Sequence, residues 1–279
     1  MLRKRIEIAA IAILTLGIIG YGALGFALAG DRITGAERTL NTVVSHQNTL
    51  NSTFSDINIQ LTTLNGSGSF DAKQALILAD RSVANSQLAV QMINEDDASL
   101  GASERRLSDQ RWLMLVGGSG LDRESARVAH ARRALAVARV VAAYEVLHGR
   151  FWRALYAGLA DLRDLNAQAL AGDMTNAHST LGNMKTDIET AAALSTSPGF
   201  PVDLHDMTTV LTKFVADYGK QLDAEAAGDD AAAAAQRATV SADVASLGEY
   251  DVDRIGAEIA AFFKPMIDTF NSEIAAATA

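Results

Sequence analysis

Leu165-Asn-Ala-Gln-Ala-Leu-Ala-Gly-Asp173 recurs, one residue shorter, as Leu222-Asp-Ala-Glu-Ala-Ala-Gly-Asp229. In each copy an alanine-rich run meets a glycine and then an aspartate. Gly172 and Gly228 suit the left-handed position that ends a helix, and Asp173 and Asp229 suit the N-cap of the next helix. Fourteen residues beyond each aspartate, Asp187-Ile188 recurs as Asp243-Val244. Two tight αα-hairpins of one kind are expected, too few copies for a solenoid.

Working outward, the rest of the chain reads as helix too. Only 3 of the 279 residues are proline, alanine runs through every segment, and β-branched clusters at period two are missing. Ile33, Ala36, Leu40, Val43, Gln47, Leu50, Phe54, Ile57, Leu61 and Leu64 form a seam of period 3.5, the pattern of a coiled-coil stalk. Asn65-Gly66-Ser67-Gly68 ends it. Asp71 with Gln74 is a capping-box pattern for a second helix, whose stripe is Leu76, Ala79, Val83, Val90 and Ile93. A polar stretch from Asn94 to Ser103 precedes a short helix ending in Trp112 to Val116, which Gly117 to Gly120 breaks. Asp122 is the expected N-cap of the next helix, whose stripe runs from Val140 through Tyr144, Leu147, Phe151, Leu155 and Leu159 to Leu162. Residues 122–171 form either one helix of about 75 Å or, the reading that Gly149 favours, a helix with a break or bend near His148-Gly149. Ser195 to Val202 is a Pro/Gly loop, and residues 251–277 form a last helix that Pro265 kinks.

The N-terminal residues read as an anchor. Arg3, Lys4 and Arg5 precede an uncharged apolar run from Ile8 to Ala29. Its roughly 22 residues span about 33 Å, enough to cross a hydrocarbon core. The basic cluster orients the remainder outside the cytoplasm, in the setting of a prokaryotic cell envelope. Ala27-Leu28-Ala29 also has the small-x-small form of a signal-peptidase site; cleaved or retained, the segment exports the residues beyond it. Gly22, Gly25 and Ala29 share one face of this helix, where a second membrane helix could approach closely. The expected architecture is all-α: an anchor over residues 1–30, a stalk and first hairpin over 31–120, and a bundle with the two similar hairpins over 121–279, together an elongated extracytoplasmic bundle.

Charge excludes one class of partner. The net charge is −9, which disfavours nucleic acid. Residues 101–157 carry ten arginines against five acids, while 158–279 carry 19 acids against 7 basic residues. Either the arginine-rich helix packs against acidic helices, or Arg123, Arg127, Arg132, Arg133 and Arg139 form an exposed basic surface for anionic lipid or an envelope polymer.

Motifs for catalysis are missing. With no cysteine there is no disulfide, thiolate metal site or thiol nucleophile. Glu145-Val-Leu-His148 has the Glu-x-x-His spacing of di-iron bundles, but those sites need a second copy and two further carboxylates. His148 before Gly149 reads more simply as a histidine at a helix C-terminus. His130 lies on the same face as His148, about 27 Å away. Asp203, His205 and Asp206 read as a capping cluster near a helix start. Gly117 to Gly120 lacks the Gly-Lys-Ser/Thr of a phosphate loop. No metal or cofactor is expected.

The sequence therefore points to a non-enzymatic, membrane-anchored interaction protein or accessory subunit. Its partners would be the membrane and another protein, or a second copy bound through the membrane helix and stalk. The alternatives are an extracytoplasmic ligand-binding or sensory module and a lipid or polymer binder. An anchor running directly into a helical bundle is similar in layout to the periplasmic input domains of chemoreceptors and sensor kinases. Those domains return through a second membrane helix, and no second apolar span occurs within these 279 residues.

Overall fold

The computed structural model describes residues 34–43, 45–46, 71–108 and 118–279, and every regular element among them is helical. We label the helices α1 (residues 34–43, with 45 and 46 also helical), α2 (Ala72–Ser108), α3 (Gly118–Leu170), α4 (Met174–Leu194), α5 (Val202–Ala226), α6 (Asp230–Leu247) and α7 (Val252–Thr278). The anchor, most of the stalk seam and the segment around Trp112 lie outside the described residues. Among those described, no helix is long and apolar enough to cross a membrane.

The chain divides into two compact units, and each is assembled from separate segments of sequence. The hairpin unit takes residues 71–83 and 146–259. The arginine unit takes the described part of 34–46 together with 84–108, 118–145 and 260–279.

In the hairpin unit both Ala-Gly-Asp turns form as the sequence requires. Gly172 has φ 74° and Gly228 has φ 70°. The N–H of Gly172 reaches the Ala169 carbonyl at 3.0 Å and that of Asp173 reaches Gln168, the paired bonds of a Schellman stop. Gly228 and Asp229 repeat the arrangement on Glu225 and Ala224. Asp173 then accepts from the N–H of Asn176, and Asp229 from that of Ala232.

Beyond the turns the two copies diverge. Ile188 is buried, whereas its counterpart Val244 is 53% exposed and the preceding Asp243 is the buried residue. Ala177 and Ala233, each four residues after its aspartate, are both buried, so the copies keep one register at the start of α4 and α6 and part only towards Ile188 and Asp243. Lys213 on α5 meets Asp243 Oδ1 at 2.5 Å, which pairs one oxygen of the carboxylate buried there.

Three expectations need correction. The polar stretch from Asn94 to Ser103 continues α2, which runs unbroken for 37 residues. Its buried side, with Asp96, Leu100 and Ser103, packs and so holds a polar sequence helical. Asp122 is inside α3, since the helix already begins at Gly118. The break at His148-Gly149 does not occur: α3 is one helix of 53 residues, about 80 Å long. Gly149 serves packing instead. A Cβ there would lie 2.9 Å from Val83 Cγ2, so glycine lets α2 approach α3 closely. Pro265 lies inside α7.

Asp71 accepts from the N–H groups of Lys73 and Gln74 and caps α2. Ala75, Ala79 and Tyr156 are buried together, with Leu76, Trp152 and Leu159 against them. Phe151, Leu165, Met184, Ile188 and Leu222 complete the interior of this unit. Each buried large side chain contributes about 1.5–3 kcal/mol.

The glycines give opposite predictions. Gly182 is helical, exposed and has nothing within 4 Å of an added Cβ, so Gly182→Ala stabilises by about 0.5–1 kcal/mol. Gly228→Ala, at φ 70°, costs about 1 kcal/mol instead. Urea unfolding of the two variants separates the signs.

Candidate interaction interface

The arginine unit is built from helices whose register can be read from their contacts. Ser103 Oγ bonds Thr39 Oγ1 at 3.2 Å, and His46 Nδ1 bonds Asp96 at 2.9 Å, so α1 runs antiparallel to α2. Arg132 meets Glu104 and Asp97, and Arg139 meets Asp97, which sets α3 antiparallel to α2. Arg127 Nε donates to the Ala277 carbonyl at 2.8 Å, His130 bonds Glu273 at 2.7 Å, and Tyr144 packs on Phe262. α7 is therefore antiparallel to α3. Glu37 is also close enough to Glu124 to act on its charge. These contacts bring the start of α1, the end of α2, the first turns of α3 and the end of α7 to one end of the unit.

Four of the five arginines proposed as a basic surface are engaged inside the unit. Arg127 is 8% exposed and bonds Glu124 as well as Ala277. Arg132 lies between Asp97 and Glu104, Arg133 meets Glu273, and Arg139 meets Asp97. Burial alone would raise Asp97, but hydrogen bonds and charge from Arg132 and Arg139 outweigh it and hold the carboxyl below its usual range. Glu273 is lowered by its hydrogen bond from His130 and by Arg133. Glu124 goes the other way, raised by burial despite Arg127. Arg123 alone of the five is exposed without an ion pair among the described residues. Gly22, Gly25 and Ala29 lie outside the described residues.

Arg38, Arg105 and Arg106 belong to no sequence motif, yet they share that same end of the unit. Arg105 and Arg106 fill the last turn of α2, a signal visible in the sequence once α2 is known to continue past Ser103.

Two buried titratable groups, Glu145 and His148, lie one turn apart on α3. Glu145 is fully enclosed, and burial pushes its carboxyl up to about 8, so it is protonated at neutral pH. His148 is held down to about 4 by burial and stays neutral, its Nε2–H donating to the Pro198 carbonyl at 3.2 Å. A protonated acid and an imidazole already bonded to backbone are poorly suited to a metal. No group of three or more metal-ligating side chains occurs among the described residues. His148 stacks on Phe200 at 3.9 Å, and Phe200 packs on Phe151, which seats the Pro/Gly loop.

Ser195 and His205 form a Ser–His pair at 2.9 Å that the sequence did not suggest. Ser195 is only 2% exposed and its hydroxyl donates to the Ala192 carbonyl at 2.7 Å. A hydroxyl committed to a carbonyl at a helix end locks the loop and is closed to substrate. Asp203 pairs with Arg254, joining α5 to the start of α7 within the hairpin unit. Between α4 and α5 lies a groove of about 280 Å³, lined by Lys185, Ile188, Glu189, Thr212, Val215 and Ala216.

No protein-family model, curated protein or solved structure matches the chain, so its reading rests on its own geometry.

Two outcomes are expected. Because folded Glu145 keeps a proton that the unfolded chain releases above about pH 4.3, its burial costs stability increasingly from there toward pH 8. Glu145→Gln should therefore be stabilising near pH 8 and nearly neutral near pH 4, read by chemical unfolding at the two pH values. Arg127→Ala strands the buried Glu124 carboxylate and should cost about 3–5 kcal/mol. The exposed Arg123→Ala should cost under about 0.5 kcal/mol in the same assay.

Proposed function

We propose that this protein is a non-enzymatic, membrane-tethered helical bundle outside the cytoplasm that serves as an interaction module or accessory subunit of an envelope assembly. The observation that carries this reading is the meeting of helix ends at the start of α1. The helix next after the apolar run from Ile8 to Ala29 enters the bundle at the end where α7 terminates on Arg127. A bundle ordered this way offers one end to the membrane and its sides to a partner. The internal pairing of Arg127, Arg132, Arg133 and Arg139 argues against a polymer-binding stripe along α3.

A ligand-binding or sensory role is the second reading, favoured by the groove between α4 and α5. At about 280 Å³ it falls just below the range of about 300–1,000 Å³ common for ligand pockets, which ranks it second.

Purification of the tagged full-length protein from native membranes in mild detergent tests the first reading. The expected result is a stoichiometric membrane partner that is lost when Gly22 and Gly25 become leucine. Elution of the protein alone would count against it and turn attention to the groove.

A further inference from the structure

The arginines of the arginine unit fall into two sets, and position separates them. Those along the interior of α3 are neutralised by partners on α2, α3 and α7. Those at the end where α1 begins are different. Arg38 on α1, Arg105 and Arg106 in the last turn of α2, and Arg123 near the start of α3 are all exposed. Arg38, Arg105 and Arg123 form no ion pair among the described residues. The acids at this end cancel only part of that charge: Glu124 is engaged by Arg127 and Glu104 by Arg132, which leaves the half-buried Glu37 and the exposed Asp122 among the described residues.

Covalent geometry fixes what this end can meet. Residues 30–33 separate Ala29, the last residue of the apolar run, from Thr34. Even fully extended, that connection spans at most about 18 Å. Arg38, Arg105 and Arg123 sit within one or two turns of the end reached by this short connection, which is short enough to let them come within a Debye length, about 8–10 Å, of the surface that the run enters. The rest of the molecule is acidic, with 19 acids against 7 basic residues from 158 to 279. An anionic surface would therefore repel most of the chain and attract this end.

We propose that this end of the arginine unit docks on the anionic headgroups of the membrane that tethers the chain, through Arg38, Arg105 and Arg123. The proposal rests on the tether proposed above. Docking would hold the arginine unit end-on to the bilayer and leave its sides free for a partner. Each guanidinium contributes about fivefold to the preference for anionic over neutral lipid.

The test uses the full-length protein in lipid nanodiscs, either pure phosphatidylcholine or with roughly one third phosphatidylglycerol. Co-elution with the nanodisc reports the tether separately from docking. Hydrogen–deuterium exchange is then measured over residues 34–40, 103–108 and 122–126, with α5 and α6 as internal reference. The expected result is exchange at least about fivefold slower at this end in anionic nanodiscs than in neutral ones. Arg38→Gln/Arg105→Gln/Arg123→Gln should lose the difference, and the corresponding lysine triple variant, which keeps the charge, should retain it. Equal exchange in both lipids, or slowing that survives the glutamine variant, overturns docking while leaving the tether intact. Failure to co-elute with either nanodisc overturns the tether and the docking with it.

Discussion

Arg127 reaches the Ala277 carbonyl across 150 residues of chain, and that contact determines where the last helix ends. The guanidinium is buried and held from its own helix by Glu124, so its direction is fixed from within α3. His130 and Arg133, on the next turns of α3, take Glu273. The last two turns of α7 are thus held by charged groups as well as by packing. The buried pair costs desolvation, and its value is specificity: an α7 shifted in register would leave the buried Arg127 Nε–H without the carbonyl that accepts from it.

The same logic explains why an acidic chain carries an arginine-rich helix. α3 is weakly amphipathic, so apolar burial alone would leave its rotation loosely specified. Arg132 and Arg139 converge on Asp97, and that convergence orients α3 against α2. In the hairpin unit Lys213 does comparable work from α5. It reaches Asp217 on its own helix and Asp243 on α6. Hydrogen bonds from Lys213 and Lys220 hold Asp217 down to about 2. Alanine-rich helices supply little shape to interlock, and charge supplies the register that shape does not.

How much of this was legible depended on the range of the signal. The Gly172 and Gly228 turns were legible because φ, cap and stop are decided by neighbours in sequence. Gly149 misled because its local reading, a helix breaker, competes with a distant cause, the approach of Val83. Asn94 to Ser103 misled for the same reason, since polar residues there are helical through contacts with α1 and α3. The arginine surface was half legible: composition showed the excess, but not which guanidinium groups would meet Asp97, Glu104 or Glu273. The end formed by Arg38, Arg105 and Arg123 was invisible without the antiparallel register, because those residues come from three helices.

Tether and docking both require the start of α1 and the end of α7 to share one end of the arginine unit. The chain has no cysteine, so Arg38→Cys/Thr278→Cys introduces a unique pair for spin labels. Pulsed electron paramagnetic resonance on the full-length protein should give a distance of about 20 Å or less, as for neighbouring helices of one bundle. A distance beyond about 35 Å, as expected if α7 ran the other way along the unit, would contradict it.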